Sequence, residues 1–189
     1  MSATAEAIYS RHRLSVEDYH RMGEAGILGD DDRVELIAGE IIDMSPIGTH
    51  HASAVKRISN RVKLQVGERA IVSTQDPVHV DRFNEPEPDI ALLRPQDDFY
   101  SDAHPIPADV LLIVEVAETS LRYDRDVKVP LYASAGIPEV WLVDIAGQVL
   151  WIYREPGQGA YRSCERAPNL SNLAPLLMPD ASVDLRGLF

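Results

Sequence analysis

The stretch Val110-Leu-Leu-Ile-Val-Glu-Val116 constrains the fold more than any other part of the chain, because it is apolar at consecutive rather than alternate positions. A strand with one face in water alternates, whereas a run like this is covered on both faces, as central strands of α/β sheets are. Val110 to Val114 is about a quarter of the ~20 residues that cross a bilayer, so it is read as a buried strand and no membrane span is expected.

The flanking elements agree with a mixed sheet covered by helices. Ser15-Val-Glu-Asp18 has the form of a helix N-cap with an acidic first turn, opening a short helix that ends near Gly23 or Gly26. Residues 33–44 predict a hairpin turning at Ala38-Gly39. His51, Val55, Ile58, Val62 and Val66 recur at three- and four-residue steps, which predicts an amphipathic helix. Short strands are expected at 70–73, at Val78-His-Val80 and at 88–93, followed by a long loop at 94–109. Residues 124–135 predict a helix stopped by Gly136, with Pro130 requiring either a start near Asp126 or a kink. Residues 139–144 and 148–153 predict a second hairpin, and the tail a turn and a last strand around Ser182 to Leu185. At 189 residues this is expected to be one α/β domain with its core at about 45–145, an N-terminal helix and hairpin, and a C-terminal hairpin extension.

Charge narrows the function classes. Eighteen Lys and Arg against 30 Asp and Glu give −12, which disfavours a protein that coats nucleic acid non-specifically. The excess is uneven, since residues 50–69 carry Lys56, Arg57, Arg61, Lys63 and Arg69 against Glu68 alone, while 76–118 carry eleven carboxylates against Arg82 and Arg94. The single cysteine, Cys164, allows neither an internal disulfide nor a cysteine zinc site, and the first residues lack the pattern of a secretory leader; a cytoplasmic setting is expected. Walker, Rossmann, Gly-x-Ser-x-Gly and His-Glu-x-x-His motifs are absent from the sequence.

Glu115 stands out as a carboxylate inside the doubly covered strand, where it needs a partner or a metal. Asp89 heads the preceding short strand with Ala91 and Leu93 as its alternation partners, and if the two strands are neighbours their carboxylates converge and demand a cation such as Mg²⁺. Lys128, one of only three lysines, falls in the helix after the Glu115 strand. The plainer alternatives are a turn aspartate at 89, pairing of Glu115 with Arg125, and a solvated lysine.

Pro88-Asp89, Glu115-Val116, Asp124 to Lys128 and the run from Leu131 to Asp144 together resemble the Uma-type family, restriction endonuclease-like proteins of the PD-(D/E)xK nuclease superfamily. The segment Val34 to Pro46 followed by His51 is similar to that family's N-terminal part, so the resemblance covers nearly the whole chain. It implies a restriction-endonuclease-like core with a metal site where two central strands diverge. It also implies Asp89 and Glu115 as ligands of Mg²⁺ or Mn²⁺, the Val116 carbonyl as a third, and His51 near the position of a helical acid. The superfamily lysine two residues after the acid is Ala117 here, so Lys128 is expected to supply it from the helix. Where the family pattern shows Ser, Pro and Ser, this chain has Glu118, Thr119 and Ser120; Glu118 is either an outer ligand of a metal-bound water or a solvated carboxylate. Glu35, Glu40 and Asp124 are further candidates.

The leading expectation is a Mg²⁺-dependent endonuclease that cuts DNA, steered by Lys56, Arg57, Arg61 and Lys63 on the basic helix. The rivals are a catalytically inactive nuclease fold that binds nucleic acid or protein, and a hydrolase of a smaller phosphorylated substrate. Trp141, Trp151 and Tyr153 mark the C-terminal hairpin as a possible homodimer surface.

Overall fold

The computed structural model describes residues 10–29 and 31–189; the segment 1–9, which bears on the absence of a leader, lies outside them. The elements follow in the order α1 (Val16–Glu24), β1 (Val34–Ile37), β2 (Glu40–Asp43), α2 (Thr49–Val66), β3 (Ile71–Ser73), β4 (Ile90–Leu93), β5 (Val110–Ala117), α3 (Leu121–Tyr123), α4 (Val129–Ser134), β6 (Glu139–Asp144), β7 (Val149–Pro156) and β8 (Tyr161–Arg166). Strands β3 to β8 form one sheet in sequence order, antiparallel everywhere except at the parallel β5–β6 pair, which α3 and α4 bridge. No helix among the described residues is long and apolar enough to cross a membrane.

The 110–116 run is β5, buried at every position, with β4 on one side and β6 on the other. Its two faces meet different helices. Leu112, Val114 and Val116 share a core with Ile90 and Leu92 of β4 and with Ile58, Val62 and Val66 of α2. Ile113 packs with Ala91 of β4 and with Val129 and Tyr132 of α4. By alternation Asp89, Glu115 and Ala117 belong to the α4 face, so the side covered by α4 carries the acids.

Ser15 caps α1 through a reciprocal capping box with Asp18. The 34–43 hairpin turns at Ala38 and Gly39, both at positive φ. A Cβ at Gly39 would stand 2.7 Å from that of Arg13, so only glycine fits that turn. Between α3 and α4 the chain winds as one π-turn over Asp124–Lys128, closed by the Val129 N–H on the Asp124 carbonyl. Pro130 lacks an N–H and crowds the carbonyl four residues back, and the wider turn absorbs both effects.

Three expectations are corrected. Val78-His-Val80 forms no strand, because its N–H groups bond to Pro86, Pro105 and Asn84 within loops. The tail forms only the isolated Leu173–Val183 bridge. The sheet continues past 145 through β7 to an edge strand β8 that the sequence does not mark, so the C-terminal hairpin extends the sheet itself. Trp141 is fully buried and its indole N–H donates to Glu139, while Trp151 and Tyr153 are half-buried under β8 pairing; the exposed aromatic surface expected for a dimer is not there.

Candidate active site

Strand β4 leaves β5 after the Ile90–Val114 pair, whereas β5 runs on to Ala117 beside β6 alone. The N–H of Val116 is thereby left without a β4 carbonyl, and the Asp89 carboxylate accepts it at 2.9 Å. The Asp89 N–H in turn points at Glu115 Oε2, 3.4 Å away. The fork between the strands therefore holds Asp89 and Glu115 side by side.

Three elements close on this fork. From α2, His51 Nε2 lies 3.0 Å from Asp89 Oδ2. That hydrogen bond, opposed by burial and helped by the charge on Asp89, holds the His51 pKa above the usual imidazole value. His51 Nδ1 is buried and has no hydrogen-bond partner. From the π-turn, Lys128 Nζ reaches Glu115 Oε1 at 2.9 Å, Glu35 Oε2 of β1 at 3.3 Å and the Glu87 carbonyl at 3.2 Å. From α4, the Tyr132 hydroxyl donates to Glu115 Oε1 at 2.6 Å.

Burial sets the electrostatics. Lys128, Glu35, Glu115 and Asp124 are each at most 5% exposed, so one ammonium stands among three almost fully buried carboxyl groups. Desolvation pushes Glu115 up to about 8 against the opposing pull of Lys128, with Asp124 and Asp89 adding to the rise. Desolvation alone would lower Lys128, but Glu115, Glu35 and Asp124 override it and keep the ammonium charged. Asp124 is also raised by burial, partly offset by Lys128 and by the Ser120 hydroxyl at 2.6 Å. The cleft above these groups holds about 580 Å³ and is lined by Glu35, His51, Asp89, Glu115, Asp124 and Lys128 among others.

The donor set fits a hard divalent cation. Among the described residues Asp89 Oδ1 accepts only the Gln75 amide at 3.3 Å, and Glu115 Oε2 only the long contact from Asp89, so two carboxylate oxygens on residues lining one cleft retain lone pairs. Two carboxylates with water completing the shell is the usual complement of Mg²⁺.

The remaining candidates divide. Glu35 joins the site, its second oxygen accepting from the Tyr123 hydroxyl at 3.2 Å. Glu40 does not, because it is exposed and pairs with Arg11 at the surface. Glu118 lines the cleft and is anchored at the start of α2. Gly48 caps α2 without a side chain, and Glu118 replaces the missing cap by accepting the His51 N–H at 3.3 Å and facing His50 at 3.1 Å. Arg125 pairs with the neighbouring Asp126 rather than with Glu115. On α2, Lys56 and Lys63 face solvent, but Arg57 bonds the Gly187 carbonyl and Arg61 bonds Asp184. The two arginines of the basic face therefore also tie α2 to the tail, whereas the two lysines stand free of it. Gln75, Glu87, Tyr123 and Tyr132 were not anticipated. Tyr132 follows Lys128 by four residues, so helical spacing carries the signal for it, whereas Gln75 lies in a turn at positive φ with no such signal.

A family model described as Uma2, putative restriction endonuclease, matches residues 16–186. No curated protein matches the sequence. Among solved structures, a putative nuclease belonging to DUF820 from Anabaena variabilis ATCC 29413 superposes with a TM-score of 0.69 at 14% identity, covering 93% of this chain and 97% of that one. The fold is shared across that low identity.

Proposed function

The chain belongs to the Uma2 family, a nuclease-like group, and from that premise we propose that it is a metal-dependent endonuclease hydrolysing phosphodiester bonds in DNA. The observation that carries this is the placement of Asp89 and Glu115 in the β4–β5 fork with the Lys128 ammonium 2.9 Å from Glu115. Asp89, Glu115 and the Val116 carbonyl would hold Mg²⁺ or Mn²⁺, which when bound supplies Lewis-acid polarisation of the phosphate and a more acidic water.

The protein's own groups perform the rest. Lys128 keeps its proton and presents a fixed positive charge beside the acids, where it offsets negative charge that grows on the phosphate oxygens in the transition state. Tyr132 and Lys128 fix Glu115 through Oε1 and leave Oε2 turned toward Asp89. His51 and the Val116 N–H do the same for Asp89 by occupying Oδ2. Both carboxylates are therefore oriented before substrate arrives. Lys56 and Lys63 steer the DNA backbone from α2, in a cytoplasmic setting suited to the single cysteine.

Supercoiled plasmid, incubated with the full chain and Mg²⁺ or Mn²⁺, is expected to be nicked. Asp89→Asn, Glu115→Gln and Lys128→Met should each lower the rate by roughly 100-fold or more while the protein remains folded. Rates undiminished by these changes, or no cleavage of any DNA with either metal, would overturn the proposal.

A further inference from the structure

Three of the six histidines in the sequence, His20, His79 and His104, gather around Glu85, a buried carboxylate four residues before Asp89. Glu85 lies in the turn before β4, where its N–H bonds the Leu36 carbonyl, and its side chain is 2% exposed. His20 Nε2 of α1 sits 2.5 Å from Glu85 Oε1, and His79 Nδ1 sits 3.2 Å from Glu85 Oε2. His104, in the 94–106 loop, turns its ring toward His20 with centroids 6.1 Å apart. One ligand atom from each of His20, Glu85 and His104 lies within 4.8 Å of the others.

We propose that His20, Glu85 and His104 form a second metal site, selective for Zn²⁺ or a similar borderline cation and distinct from the nuclease centre. Imidazole nitrogen with one carboxylate is a donor set that suits zinc, whereas the carboxylate and carbonyl donors of the fork suit Mg²⁺ or Mn²⁺. Ligands about 2.0 to 2.1 Å from a tetrahedral ion stand about 3.3 Å apart, so His20 Nε2, 2.5 Å from Glu85 Oε1, must back away by nearly an ångström, while separations that reach up to 4.8 Å must close. His20 and His104 are exposed side chains and can swing that far, while buried Glu85 stays in place. His79 holds the second oxygen of Glu85 in the manner of an outer-shell partner, and its backbone N–H donates to the Pro105 carbonyl, next to His104. No Lys or Arg ion pair to Glu85 occurs among the described residues, so imidazoles alone face this buried charge.

The ion would join α1, the turn before β4 and the 94–106 loop, three segments that no strand pairing links. That loop carries Phe99 and Tyr100 consecutively at positive φ. A clamp at His104 restricts it directly.

The test uses the full chain stripped with a chelator and titrated with Zn²⁺ against a chromophoric competitor, then with Co²⁺ read by visible absorption. One Zn²⁺ per chain should bind with unchanged affinity in Asp89→Asn, which separates this site from the nuclease centre. His20→Ala and His104→Ala, exposed changes that leave the circular dichroism unaltered, should weaken binding at least about 100-fold, and His79→Ala about 10-fold. His12→Ala should change nothing. Amide exchange in the 97–105 segment should slow on adding Zn²⁺ to the parent chain and not to His104→Ala. Failure to bind either ion, affinity unchanged in both His20→Ala and His104→Ala, or loss of Zn²⁺ in Asp89→Asn alone would overturn the site and leave the cluster as an ion-pair network.

Discussion

Replacing Glu115 by Gln is expected to stabilise the metal-free protein above neutral pH. Glu115 is 2% exposed, and burial raises its folded-state pKa from 4.5 to about 8. For an acid whose folded pKa is raised, the unfolded chain releases the proton first, so stability is fully present below about 4.5 and declines as pH rises toward about 8. Each pH unit in that window costs about 1.4 kcal/mol, giving a ceiling of roughly 5 kcal/mol at the top of it. Gln removes this cost while retaining an oxygen for the Tyr132 hydroxyl, and Lys128 keeps Glu35 at 3.3 Å. Allowing for the lost charge pair with Lys128, the net gain should be about 2 kcal/mol near the upper end and near zero at the lower. Urea denaturation in excess chelator, run across the window for both proteins, measures the difference. A difference independent of pH, or a variant less stable than the parent at the alkaline end, would refute the argument. Adding Mg²⁺ should then favour the parent, by about 2.7 kcal/mol at a hundred times the dissociation constant.

The other predictions are readily checked. In chelated protein the His51 ring should titrate by NMR above the usual imidazole value and fall back in Asp89→Asn; its stabilising contribution is present below the unfolded pKa and is lost as pH rises through the folded one. Lys56→Ala with Lys63→Ala should weaken DNA binding and reduce the slope of log affinity against log salt by about 2. Arg57→Ala and Arg61→Ala should instead loosen the C-terminal segment, seen as faster amide exchange at 184–188, because their guanidiniums hold its carbonyls. Gly48→Ala would place a Cβ against the Glu118 carboxylate, so it should displace that cap and destabilise α2 by about 1 kcal/mol in thermal unfolding.

What the sequence could disclose follows from periodicity. The parity of Asp89 with Ala91, and of Glu115 with Ile113, assigns both acids to one face once β4 and β5 are neighbours. His51 is in step with Val55 and Ile58, which aims it at the sheet. Those are local rules, and the site residues they select do converge. Contacts made across long sequence distances leave no such trace. Glu118 accepts a helix-start N–H from 67 residues away, and Arg57 and Arg61 hydrogen-bond tail carbonyls more than a hundred residues downstream. Strand β8 is polar and mostly exposed, so neither alternation of apolar residues nor an apolar run marks it in the sequence. An acid on a hairpin reads alike whether its strand faces the cleft or the solvent, and Glu40 lies at the exposed end of β2.

The wide turn at Asp124–Lys128 bears on the order in which the centre is assembled. Asp89 and Glu115 are brought together by sheet pairing, but the lysine rides on a helical segment and meets Glu115 only when that segment docks on the sheet through Val129 and Tyr132. A lysine at position 117 would arrive with the strand itself. Here the two acids can be in place while the ammonium is still absent, and the last arrival is also the group that makes their burial tolerable. Docking of a single helix therefore completes both the charge balance of the core and the candidate site, so a change that loosens the helix should part Lys128 from Glu115 before it unfolds the sheet.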